Sequence, residues 1–184
     1  MNWNILLSFT PLFVIAGVVA LIVIATRRPI HEDDPGIGTI RRLLGYGAAL
    51  AGLALVTAGA SLLIRTVLAA FQSGETISGE ETTVALGLAF AFVGTPVWLG
   101  SWFIMARAAR SHPVELRALS RKVYLHFILG GAAISAVVGW ITFLSSIGRD
   151  GAIDEAMLGV ALSTSLVWAY HWRVQQQEEH AKQS

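Results

Sequence analysis

The chain has 184 residues, of which 54% are hydrophobic and 14% charged, with a formal net charge of +1 and no cysteine. A mean hydropathy of +0.62 lies far above the soluble average, so the sequence reads as a membrane protein. The absence of thiols excludes disulfides, iron–sulfur clusters, thiolate zinc sites and covalent c-type haem attachment, and the near-neutral charge leaves no global field to attract nucleic acid or acidic substrates.

A hydrocarbon core of about 30 Å takes roughly 20 helical residues to cross, and five apolar stretches reach about that length: residues 5–26, 43–70, 84–106, 124–147 and 154–172. The expected fold is therefore all-α, a polytopic bundle of five transmembrane helices. The first stretch follows MNWN, which has no basic n-region, and runs on to Arg27 and Arg28; it reads as a retained helix spanning residues 1–28 rather than a signal peptide. Residues 29–40 hold HEDDPGIG. Four consecutive polar side chains do not converge on one ion without a shaped loop, and Pro35-Gly36 marks a turn, so a solvated loop is expected.

The second stretch opens RRLLGY and carries small residues, Gly47, Ala51, Gly52 and Gly59, of the kind that let helix backbones approach in lipid. Arg65 is the one full charge well inside a span; it is placed to snorkel to the nearer boundary, with Glu75 as a candidate partner. The third stretch ends PVWLGSW, with Trp98 and Trp102 on one helix face, and residues 108–120 form a basic loop. The fourth opens RKVYLH and carries Gly131, Ser135 and Gly139 at spacings of four. The fifth begins at Asp154 and Glu155, suited to a helix N-terminus, and ends VWAYHWR before a tail, 174–184, that extends the helix and frays.

Eleven of the thirteen Lys and Arg fall between spans one and two, between spans three and four, or in the tail. Short loops rich in these residues stay cytoplasmic. The expected location is the inner (plasma) membrane, with the N-terminus outside and the C-terminus in the cytoplasm. Two units then share a plan, residues 41–107 and 121–173: a basic entry with a tyrosine, an outward helix, an external loop, and a return ending VWxxxW. Arg42, Tyr46, Pro96, Trp98 and Trp102 in the first unit, and Arg121, Tyr124, Trp168, His171, Trp172 and Arg173 in the second, carry a resemblance to an uncharacterised bacterial integral membrane family of tandem two-helix repeats. The first unit has Ser101 where that pattern expects His, and the second has Leu166 in place of Pro96. The resemblance implies an architecture and no activity.

Trp3, Tyr46, Trp98, Trp102, Tyr124, Trp168 and Trp172 are expected as interface anchors, because indole and phenol rings favour the headgroup level. His126, near the start of span four, and His171, near the end of span five, form the sharpest cofactor candidate: antiparallel packing brings them to similar depth, where with Trp168 and Trp172 they are placed to hold haem or a chlorin. Hydrogen bonding to water, headgroups or a carbonyl at the boundary is the preferred reading of the two histidines, so no cofactor or metal is expected. Without a deep Asp, Glu or Lys, transport ranks third. No phosphate loop, HExxH or nucleophile elbow is present. The leading expectation is a non-enzymatic accessory or scaffold subunit whose partners are the bilayer and other membrane subunits or copies of itself, with no nucleic acid. Reporters in the tail and within residues 110–117 are expected to lie in the cytoplasm and one near residue 78 outside; a cytoplasmic residue 78 overturns spans two and three.

Overall fold

A computed structural model describes residues 35–73, 81–111, 118–150 and 153–183, and these residues form four α-helices. They are α1 (Pro35–Ser73), α2 (Glu81–Ser111), α3 (Leu119–Asp150) and α4 (Glu155–Gln183). Among the described residues the structure is all-helical. Three helices, over Ile40–Gln72, Glu81–Ser111 and Leu119–Arg149, are long and apolar enough to cross a membrane. Helix α4 has the length, at 29 residues, but Ser163, Thr164 and Ser165 at its centre and the polar AYHW that follows dilute its hydropathy. Residues 5–26 and Trp3 lie outside the described residues, so five spans reduce to three among those described.

The helices outrun the apolar stretches that mark them. At 1.5 Å per residue, the 39 residues of α1 extend roughly 58 Å, about twice a hydrocarbon core, because Pro35–Arg42 is wound onto its start. Helix α4 likewise continues through QQQEEH to Gln183. Its beginning is capped as the sequence suggests: Asp154 Oδ1 accepts the Met157 N–H at 3.0 Å while the Asp154 carbonyl accepts the Leu158 N–H at 3.0 Å. Pro96 lies inside α2, where it offers no N–H to the preceding turn.

The described residues fall into two compact units, one comprising residues up to Ala54 with Val93–Lys122, the other Leu55–Phe92 with residues from Val123 onward. In the first, α1 runs against α2 in antiparallel register. A Cβ at Gly52 would lie 2.5 Å from the Trp98 backbone nitrogen and 3.0 Å from the Gly94 carbonyl, and one at Gly45 would meet the Met105 side chain. In the second, Gly59 approaches the Gly87 carbonyl and Ala91 nitrogen, Gly139 of α3 approaches Ala161 of α4, and Gly159 of α4 approaches the Ser61 carbonyl of α1. Each of these is a backbone-to-backbone approach that any side chain would block. Beside Gly159, Ser61 Oγ and Ser163 Oγ lie 2.6 Å apart; Ser61 also donates to the Thr57 carbonyl at 2.9 Å and Ser163 to the Val160 carbonyl at 3.1 Å. Three contacts are thus served by two hydroxyl hydrogens.

Helix α3 shows how narrow the inward face is. Arg121, Leu125, Ile128, Ala136, Gly139 and Ser146 are buried, following the three-and-four spacing of one helical stripe, while Ile134, Val137, Val138, Ile141 and Leu144 are exposed. Only 22, 17 and 17% of the three apolar segments is buried. An apolar exterior of that extent is foreign to a soluble monomer and suited to lipid.

Of the small residues expected to pack helices, Gly52, Gly59 and Gly139 do so, and Gly47, Ala51, Gly131 and Ser135 are exposed. Gly52→Ala should therefore force α1 and α2 apart and cost about 1–3 kcal/mol. Gly131→Ala meets nothing within 4 Å and should be neutral or stabilising by up to about 1 kcal/mol, since alanine favours helix. Reversible unfolding in mixed micelles measures both; equal responses would mean that the close approach at Gly52 is not tight.

Candidate functional site

The end of α4 places its aromatic run on adjoining faces of the helix, one buried and one exposed. His171 is fully buried, at 0% exposure, and its Nδ1–H donates to the Val167 carbonyl one turn back at 2.9 Å. Tyr170 stands edge-on to its ring at 5.0 Å between centroids, and Tyr124 of α3 lies edge-on at 6.2 Å. One residue round the helix, Trp168 and Trp172 are exposed by 37% and 44% and stack on each other at 5.4 Å and 17°. Indoles four residues apart meet in this way because they lie nearly above one another.

His126 does not join His171. Tyr124 faces inward to His171, and two residues further along a helix the side chain has turned by about 200°, so His126 is exposed on the far side of α3. The two imidazoles therefore do not converge on one metal across the α3–α4 contact. Among the described residues no group of three or more His, Cys, Asp and Glu is placed to hold a metal ion.

A second cluster stands in the unit formed by the start of α1, the end of α2 and the start of α3. The Arg121 guanidinium, 4% exposed, donates from one terminal nitrogen to Tyr46 Oη at 3.2 Å and sits 5.3 Å over the Trp102 ring. Removing a cation from water is costly unless hydrogen bonds and polarisable surfaces replace the lost hydration; a phenol oxygen and an indole face supply part of that replacement. Arginine suits this geometry because its flat, weakly hydrated head stacks and donates at once. Arg121 thereby ties α1 to α3 and rests on α2. A reading of loop charge alone misses this role. The signal for it is spacing, since Arg121 shares the stripe of Leu125 and Ile128.

The expected interface anchors divide accordingly. Tyr46, Trp102 and Tyr124 are each 5% exposed and face the interior, which corrects their expected position among headgroups: a ring with no open surface anchors nothing outside the bundle. Trp98 is half-buried, and Trp168 and Trp172 face outward. The two VWxxxW motifs also share a feature that their tryptophans do not. The residue before the second tryptophan, Ser101 in one and His171 in the other, is fully buried in both, at 1% and 0%. Arg65 is half-buried; Glu75 lies outside the described residues.

Residues 42–164 match a family described as a domain of unknown function, DUF5671. The match covers about two-thirds of the chain, and the chain belongs to that family. It begins at Arg42, includes VWLGSW and the Arg121–Tyr124 entry, and ends at Thr164 before VWAYHW. No curated protein and no solved structure shows significant similarity to the chain.

The two clusters make separable demands on stability. Arg121→Gln should cost about 1–3 kcal/mol by removing the guanidinium's hydrogen bond to Tyr46 Oη and its contact with the Trp102 ring, and a Tyr46→Phe/Arg121→Gln cycle should show coupling of about 0.5–3 kcal/mol. His171→Gln should cost a comparable amount, whereas His126→Gln stays within about 0.5 kcal/mol. Unfolding in micelles reads all four, and a destabilising His126→Gln would contradict its outward placement.

Proposed function

We propose that the protein is a non-enzymatic integral membrane subunit, an accessory or scaffold part of a larger assembly. In this reading residues 5–26 and α4 join the three apolar helices as spans, the N-terminus lies outside, and residues 107–122 and the tail lie in the cytoplasm. The charge distribution of the loops supports that orientation. The chain after residue 40 is a duplicated hairpin, a reading supported by the matched burial of Ser101 and His171.

The observation that carries the functional reading is where the polar groups are engaged. Arg121 and Tyr46, His171 and Val167, and Ser61 and Ser163 contact one another between helices or along them, inside a bundle whose outer surface is apolar. Two of these pairs, Arg121–Tyr46 and Ser61–Ser163, tie one helix to another, and the third bonds along α4 itself. The exterior carries small residues among the large ones: Gly47, Ala51, Ala54 and Ala58 share a face of α1, and Gly131 and Ser135 share a face of α3, all exposed. Lipid chains gain little from such positions, whereas a neighbouring helix gains close contact.

Gentle extraction followed by native electrophoresis tests the reading. The protein should migrate, without a Soret or chlorin absorption band, in a complex well above its 19.7 kDa chain mass. Gly47→Leu with Ala51→Leu should release it from that complex without unfolding it. A lone monomer in every mild detergent overturns the scaffold role, and a haem or chlorin band would favour a cofactor-binding protein instead.

A further inference from the structure

We infer that the end of the bundle formed by the starts of α1 and α3 and the end of α2 binds the headgroups of anionic phospholipids. The contacts already described bring these three helix ends together within one unit: Tyr46 of α1 on Arg121 of α3, Arg121 over Trp102 of α2, and Gly45 of α1 against Met105 of α2. Around that point stand Arg41, Arg42, Arg107, Arg110, Arg121 and Lys122, while the described residues of the unit include no Asp or Glu. Over the wider stretches 27–42 and 107–122, nine Lys and Arg face four Asp and Glu in sequence, so the excess of positive charge survives the acidic HEDD.

Placement within the cluster matters more than the count. Arg42 lies one turn before Tyr46 on the same face of α1, and Tyr46 holds Arg121; the half-buried Arg42 and the buried Arg121 therefore share one locality. Arg41 is half-buried and Lys122 exposed beside them. Arginine forks match phosphate oxygens in pairs, and lysine adds a mobile point charge.

The neighbouring surface selects a lipid over a soluble anion. Leu43, Leu44 and Phe103 are exposed by 67, 58 and 62% between and beside these cations. An acidic peptide or a nucleic acid would have to cover those side chains with polar surface. A phospholipid presents a phosphate directly above acyl chains, so one molecule satisfies both the cations and the apolar residues next to them. Clusters of Lys and Arg at the ends of apolar helices attract anionic headgroups by about 1 kcal/mol per cation, or about fivefold in affinity for each.

The inference rests on the membrane-spanning reading but not on which side the cluster faces. The test uses the full chain in detergent, titrated with phosphatidylglycerol or phosphatidylcholine, reading bound lipid by native mass spectrometry and the unfolding midpoint. Phosphatidylglycerol should bind preferentially and raise the midpoint, with a preference that weakens as salt rises. Arg41→Gln/Arg42→Gln/Lys122→Gln, which leaves Arg121 in place, should lose most of that preference, whereas Arg149→Gln near the end of α3 should keep it. Equal binding of the two lipids, an unaffected triple variant, or an equal midpoint shift from inorganic phosphate alone overturns the headgroup site. Carbonate extraction of the wild type from vesicles separates the two readings: a chain that resists extraction yet shows no lipid preference leaves the spanning reading standing, and one that is released overturns both.

Discussion

Close approach of backbones at a few glycines is the condition on which this bundle depends. Water drives apolar helices together, but a hydrocarbon solvent solvates them as well as they solvate each other, and what remains is van der Waals contact at short range together with a few polar ties. Gly52, Gly59, Gly139 and Gly159 provide that range, because each lies where a Cβ would reach within 3 Å of a neighbouring backbone atom. The polar ties then fall where backbones are already near: Ser61 and Ser163 flank the Gly159 approach, and Trp140 Nε1 donates to Ser165 Oγ at 3.2 Å beside the Gly139 approach. Without the glycines neither bond has its geometry.

Helix length and number were legible in the chain to the extent that hydropathy dictates them. The apolar stretches at 43–70, 84–106, 124–147 and 154–172 each lie within an observed helix, and Asp154 marked the start of the last. Hydropathy ends where the hydrocarbon ends, whereas helical hydrogen bonding does not, so the turns before Leu43 were beyond its reach, while the polar tail after Trp172 was expected to prolong its helix and does so to Gln183. Rotation about the helix axis was legible only in part. Helix α1 carries small residues on two faces, Gly45, Ala49, Gly52 and Gly59 inward and Gly47, Ala51, Ala54 and Ala58 outward, and composition does not tell one face from the other.

The candidate site was obscured by a rule that is sound in general. Lys and Arg at a span's end are explained by topology, and Tyr and Trp there by headgroup affinity, so Arg121, Tyr46 and Trp102 each had a sufficient explanation facing outward. Together they point inward. Three helices converge at that end, and a phenol oxygen and an indole face that would have met headgroups instead hold a guanidinium. His171 was visible as unusual, but its inward direction follows from its place between Val167 and Tyr124 rather than from any motif.

The serine pair between α1 and α4 has a different consequence for the bundle. Each hydroxyl has an alternative acceptor on its own helix, Thr57 for Ser61 and Val160 for Ser163, so pulling the two oxygens apart strands no donor. Most buried interhelical hydrogen bonds resist separation because one partner is left unsatisfied in a medium with no water. This one works more like a clasp, whose opening is met by rotation of a single hydroxyl. The α1–α4 seam can therefore part at its polar point with little penalty, and resistance to sliding there falls on the shape of Gly159 against the Ser61 carbonyl.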